Sequence, residues 1–266
     1  MELHKDLVPL VDVLEALTRV PEGHGPSLDW IDDAYALAKK FVRHSRTFVA
    51  LYESSGKSKA EHPTVDAASV NILARAAFES FLVFHRLFVH PHSDDERECQ
   101  YLSWRLGGYL LRRRFPIYFP QNVAVRNYEA TLVRELRARL SGNSVFTALS
   151  LKERQKLLSG KWRLGATWST IASQASLHKG FGDTFYALLC EYAHSGGLSV
   201  PRDAPGFQWS DQDRCAGAPE LLMIASANMA RGICALFPDR AIVLQLASAE
   251  NLVDVWVKIG SRGLEQ

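Results

Sequence analysis

Ala67-Ala68-Ser69-Val70-Asn71-Ile72-Leu73-Ala74-Arg75-Ala76-Ala77-Phe78-Glu79-Ser80-Phe81-Leu82-Val83-Phe84 is the stretch on which the fold turns. It is apolar nearly all round at helical period, as a helix packed on every side must be. Its only charges, Arg75 and Glu79, are four apart and so lie side by side on one face. They also interrupt the longest apolar run in the chain, so no charge-free segment reaches the length of a membrane span. Arg before Glu is the weaker order for simple helix stabilisation, so other partners are expected to hold the pair there. Removing Glu79 from beside a buried Arg75 is expected to cost on the order of 3–5 kcal/mol.

Helical signals extend outward from this stretch in both directions. Pro63-Thr64 is expected to open the helix and Pro91 to stop it near His90. Upstream, Leu7, Leu10, Val11, Leu14 and Leu17 keep three/four spacing, closed by a Pro21–Pro26 turn. Ser27 is a cap for a long helix with Ile31, Ala34, Ala38, Phe41, Ser45, Phe48 and Tyr52 along one stripe. Downstream, Ser93-Asp94-Asp95-Glu96 reads as a capping box for a helix to Arg114, and Phe115–Pro120 as a break with two prolines. A fifth helix carries Val125, Tyr128, Leu132, Leu136 and Leu140 on one stripe and stops at Gly142. Ser150-Leu151-Lys152-Glu153 is a second capping box, and Trp168 to His178 a further short helix. Asp183 is expected to cap the helix carrying Tyr186 through His194. Residues 195–218 form the longest loop, and two last helices run Pro219–Phe237 and Asp239–Ile259. No strand and no repeat emerges. The expected fold is all-α, a compact multi-helix bundle, with residues 1–266 as a single helical domain.

The totals agree with this. At 266 residues, 47% hydrophobic and 23% charged, the chain can bury a core of its own and is not disordered. Cys99, Cys190, Cys215 and Cys234 form no C-x-x-C pair, which argues against a zinc ribbon or redox dithiol. Met1-Glu2-Leu3-His4-Lys5-Asp6 lacks the basic and apolar blocks of a secretory signal, so the expected location is cytoplasmic and no membrane partner is expected. The formal charge of +2 hides an asymmetry. Between Arg105 and Arg163 there are 13 Lys/Arg against 3 Asp/Glu, a basic stretch that can attract phosphates, with Arg112, Arg113 and Arg114 its densest run. Helices rich in Arg also serve simply as solvated faces.

A second nearly all-apolar segment, Phe185 to Ser195, carries Tyr186, Cys190 and His194 at intervals of four on one stripe, with Tyr192 among them. His194 stands at a helix C-terminus, where the dipole favours imidazolium. The Ser195-Gly196-Gly197 turn lets backbone approach closely. Isolated polar groups on two apolar helices need partners, so Arg75 and Glu79 are expected to meet Tyr186 and His194. Such a network can be a site, or it can only tie helices together.

Arg75-x-x-x-Glu79, then Trp168, then Tyr186-x-x-x-Cys190-x-Tyr192-x-His194 resembles an uncharacterised bacterial family of all-helical proteins over roughly residues 65–200. This sequence departs from that pattern with Cys190 for a serine and Ser195 for a proline. The family has no established activity. Its architecture is similar to that of HEPN domains, many of them ribonucleases of toxin and phage-defence systems. Their hallmark is an Arg followed by His on one helix. Here the nearest such spacing, Arg86 to His92, is broken by Pro91, so Arg75 and His194 must meet in space instead.

His85, His90, His92, Asp94 and Asp95 cluster in sequence, but at a helix junction they read as cap residues, and no metal or cofactor is expected. Gly107-Gly108 and Gly180-Phe181-Gly182 match no phosphate loop, and no G-x-S-x-G elbow occurs. Trp162, Trp168, Tyr118 and Phe119 lie near basic residues and could stack bases. The resulting expectation is a HEPN-like protein that binds RNA, with Arg112, Arg113, Arg114, Tyr192 and Cys190 as binding residues. If it is an enzyme, it is a metal-independent ribonuclease. His194 would be the acid/base group, Arg75 the phosphate clamp, and Glu79 and Tyr186 the groups that orient it. Two alternatives stay open. One is a non-enzymatic module binding a small ligand or a protein. The other is a structural protein that dimerises with a second copy.

Overall fold

The computed structural model describes residues 4–19, 30–55, 66–120, 122–200, 214–215 and 217–263. Among them there are twelve α-helices and no strand. The helices are α1 His4–Leu17, α2 Trp30–Ser55, α3 Ala67–Phe84, α4 Asp94–Arg112, α5 Asn122–Gly142 and α6 Ser144–Ala148. They continue as α7 Leu151–Leu158, α8 Trp168–Gln174, α9 Tyr186–Ala193, α10 Ala218–Leu236, α11 Ala241–Leu246 and α12 Glu250–Arg262. The protein is an all-α, multi-helix fold. Its residues group into two compact units: Met1–Val89 with Trp168–Gln266, and His90–Thr167.

In the first unit α3 packs against α2, α9 and α10, and α10 against α1 and α12. Its apolar sides explain this placement: Ala74, Ala77, Phe78, Phe81, Leu82 and Phe84 are each within 1% of full burial. Among the described residues, Ala67–Val89 is the one segment long and apolar enough to cross a membrane, with mean hydropathy 1.4. Its enclosure among helices gives that apolarity a core role. Asp66 is the N-cap of α3, its carboxylate accepting from the Ser69 amide at 2.9 Å. The expected opener Pro63-Thr64, like Ser27 and the Pro21–Pro26 turn, lies outside the described residues. The helix runs on through a π-helical turn, His85–Val89, so its end agrees with the expected stop. Along α2 the expected stripe is buried from Ala34 through Tyr52. The most enclosed helix is α10, where Leu221 through Ala225 lie wholly inside.

The second unit is built on α4, which packs against α5, α6 and α7. Ser93 caps α4 by accepting from the Glu96 amide, while the Glu96 carboxylate reaches back to the His92 amide at 2.9 Å. Ser150 and Glu153 make a complete capping box at the start of α7.

Three expectations are corrected, and one element was not foreseen. The α5 stripe is buried only from Leu132 onward, with Val125 49% and Tyr128 65% exposed, and Glu129 is buried instead. Asp183 caps nothing; it sits in a π-helical turn, Phe181–Phe185, and accepts from the Ser169 hydroxyl. The segment after Pro238 is broken into a 3-10 turn, α11 and α12, with Ser248 at φ 51° between the last two. Asn143 caps an unforeseen short helix, α6, by accepting from the Val145 and Phe146 amides.

Candidate functional site

Helix α3 presents Arg75 and Glu79 one turn apart, and α9, packed on it, presents Tyr186 and His194 at its two ends. The four side chains meet. Arg75 Nε donates to Glu79 Oε1 at 2.9 Å, Arg75 Nη2 to the Tyr186 hydroxyl at 3.3 Å, and Arg75 Nη1 lies 3.3 Å from His194 Nε2. The Tyr186 hydroxyl in turn donates to Glu79 Oε1 at 2.8 Å. The Arg75 guanidinium also lies 5.4 Å from the Tyr186 ring centre, and the Trp168 ring packs against the same tyrosine at 6.1 Å. One guanidinium is thus held by three residues at once.

The cluster is open on one side. The Arg75 and Glu79 side chains keep 18% and 29% of their exposure, and His194 is exposed. Burial raises the Tyr186 pKa strongly, and its hydrogen bond to the Glu79 carboxylate raises it further, so the phenol stays protonated as a donor. The Arg75 pKa is raised too. Burial alone would lower it, but Tyr186 and Glu79 outweigh that cost. A guanidinium has donors and no acceptor, so its contact with His194 is a hydrogen bond when Nε2 is bare and the ring proton sits on Nδ1. In that arrangement the Nε2 lone pair faces the guanidinium, so the contact presents this nitrogen as an acceptor.

The turn after α9 fixes His194. Its amide donates to the Cys190 carbonyl at 3.0 Å, and Gly196 N reaches the Glu191 carbonyl at 2.7 Å, a Schellman closure. Ser195 occupies the left-handed position of that closure, at φ 54°. Proline cannot adopt that angle, so the serine at this position permits a turn that a proline would not.

The other expected binding residues disperse. Cys190, half-buried on α9, is close enough to Arg75 to contribute to its electrostatics. Tyr192 turns elsewhere, donating to the Arg214 carbonyl at 3.2 Å, where Asn71 Nδ2 also donates at 3.1 Å. Asn71 is a further polar residue of the apolar run, and an amide buried there signals the need for a partner. Arg112, Arg113 and Arg114 are exposed in the second unit, at the end of α4. Arg112 is committed to an ion pair with Glu129, 2.6 Å from Nη1 to Oε1. Arg126 binds the carbonyls of Arg113 and Phe115, bracing a segment whose Phe115, Tyr118 and Phe119 are all at least 60% exposed. Trp168, by contrast, belongs to the first unit. Asp94 pairs with Arg97 and Asp95 accepts from the Ser144 hydroxyl, so neither is the expected cap residue, and Ser93 caps α4 instead. Among the described residues no three His, Cys, Asp or Glu side chains form a group that could hold a metal.

No protein-family model, curated protein or solved structure matches the chain.

Proposed function

We propose that the protein is a HEPN-like, cytoplasmic, RNA-directed protein that cleaves a single strand at the Arg75–Glu79–Tyr186–His194 cluster. One observation carries this reading. An exposed imidazole has its Nε2 3.3 Å from a guanidinium that two further residues hold in place. Cleavage through the RNA's own 2′-hydroxyl needs only a base beside that hydroxyl and a cation beside the phosphate. An incoming phosphate draws Arg75 Nη1 away from His194 and bares Nε2. Nε2 then takes the 2′-hydroxyl proton, and the 2′-oxygen attacks phosphorus. The bond to the leaving oxygen breaks, that oxygen takes a proton from water, and a cyclic phosphate remains. Arg75 offsets the charge gathered on the phosphate. Glu79 and Tyr186 are positioning residues that keep the guanidinium aimed. The basic helices of the second unit are a surface in their own right for RNA phosphates.

The test compares wild type, His194→Ala and Arg75→Ala on single-stranded RNA with chelator present. Loss of His194 should slow cleavage by at least about a hundredfold, the usual share of a general base. Cleavage that survives His194→Ala, or that the chelator abolishes, rejects the mechanism.

One observation favours a second reading. Three nitrogens of Arg75 already have protein partners, and Glu79 Oε1 receives two donors, as a network that only specifies helix packing would arrange. Absence of cleavage by wild type on any RNA supports that structural or ligand-binding role.

A further inference from the structure

The second unit contains a cavity of about 580 Å³ that the His194 cluster does not use. Its walls come from the latter half of α4 and from the turn after α7. Trp104, Tyr109 and Trp162 supply aromatic surface, and Arg105, Arg114 and Lys161 supply positive charge. Arg112 lines it as well, but its charge is offset by Glu129, whose side chain is only 4% exposed. No acidic side chain is among the described residues that line it.

Two features make the cavity a built one. Gly160, at φ 85°, lies so close to α4 that a Cβ on Gly107 would come within 2.8 Å of its carbonyl oxygen. The two glycines let the α7 turn rest directly on the α4 backbone. The buried Tyr109 ring anchors the cations: Arg105 lies 5.2 Å and Arg112 5.9 Å from its centre, and Arg105 Nη2 donates to its hydroxyl at 2.9 Å. At least one guanidinium is therefore part of the wall rather than a free surface charge.

Aromatic walls alone accept many apolar ligands, and cations alone accept any anion. Together, in a space of ligand size, they select an aromatic ring that carries an anion. We infer that this cavity binds one nucleoside phosphate, with its base against the indoles and its phosphate at the exposed Arg114 and Lys161. The nucleotide is either free or one unit of a single strand; the second source rests on the RNA reading above, the first does not.

Calorimetry on the full chain at low salt tests this with adenosine and uridine monophosphates, their nucleosides, inorganic phosphate and a hexaribonucleotide. The proteins are wild type, the Arg114→Glu/Lys161→Glu double variant, Trp162→Leu and His194→Ala. The monophosphates should saturate one site. Nucleosides and phosphate alone should bind about tenfold more weakly, and so should monophosphates on the double variant or Trp162→Leu. His194→Ala should leave this binding unchanged. Monophosphates that fail to saturate, or that ignore Arg114, Lys161 and Trp162, overturn the inference. If the hexamer binds and monophosphates do not, the cavity assignment falls while the RNA reading stands. If monophosphates bind and the hexamer does not, the cavity is upheld with a free nucleotide as ligand, and the RNA reading falls.

Discussion

Tyr186 is the residue through which the polar cluster should reveal itself to pH. Its hydroxyl gives its proton to Glu79 Oε1 at 2.8 Å, and burial together with that carboxylate raises its pKa well above the ordinary value of about 10. A folded-state pKa above the unfolded one means the native protein keeps a proton that the unfolded chain has released. The stability that comes with it is fully present below about pH 10, the unfolded value, and is lost as pH rises from there toward the folded one. Urea midpoints are therefore expected to fall more steeply above that pH in wild type than in Tyr186→Phe. Equal slopes would show that the phenol is not held. Glu79 is a matter of magnitude. The sequence exposes the pair as ions in an apolar helix, but not that one side is open. With Arg75 18% exposed, water can solvate the guanidinium once Glu79 is gone. Glu79→Ala is therefore expected to cost about 1–2 kcal/mol, below the 3–5 kcal/mol of a sealed pair, measurable as a modest loss in denaturant midpoint.

Two short connections between elements carry more than their length suggests. Asn143 accepts from two amides at the start of α6, and its Nδ2 donates to the Asp95 carbonyl at 2.9 Å, joining α5, α6 and the first turn of α4. It is 5% exposed, so Asn143→Ala should lose a cap and leave buried groups unpaired, costing about 2 kcal/mol in chemical denaturation. Ser195 works the other way. It holds the left-handed position after α9 at φ 54°, so Ser195→Gly should relieve strain and stabilise by about 0.5–1 kcal/mol, read as a small rise in Tm. These positions mark the limit of what pattern reading could reach. Long helices were legible because α2 and α3 bury repeated apolar stripes, and so was the Arg75–His194 meeting, because polar groups on enclosed helices need partners. The break between α11 and α12 was not, since Ala247-Ser248-Ala249 contains no glycine or proline to signal it. Nor was the exposure of Val125 and Tyr128, which keep helical spacing while the burial ends at Leu132. Periodicity shows which side chains share a face, and tertiary contacts alone decide how much of that face is covered.

Charge divides unevenly across the whole molecule. The His90–Thr167 unit carries 14 Lys/Arg against 7 Asp/Glu, so with +2 overall the remainder of the chain is net negative. Any binding to a polyanion should therefore be concentrated on that unit and should weaken as salt rises. The three consecutive arginines are not equivalent in testing this. Arg112 neutralises Glu129, which is buried, so reversing Arg112 would strip a partner from an enclosed carboxylate and damage the fold. A triple reversal would confuse lost binding with lost stability. Arg113 and Arg114 are exposed, and among the described residues Arg113 is held through its backbone, its amide donating to the Tyr109 carbonyl and its carbonyl accepting from Arg126. Charge reversal at these two should leave the denaturant midpoint nearly unchanged. If both side chains contact phosphates, the slope of log affinity against log salt for single-stranded RNA should become shallower by about 1.4, at roughly 0.7 per contact. Arg112→Glu should instead lower the midpoint whether or not RNA is present. RNA binding that is indifferent to salt and to Arg113 and Arg114 would place the strand elsewhere on the protein and remove this surface from the proposed function.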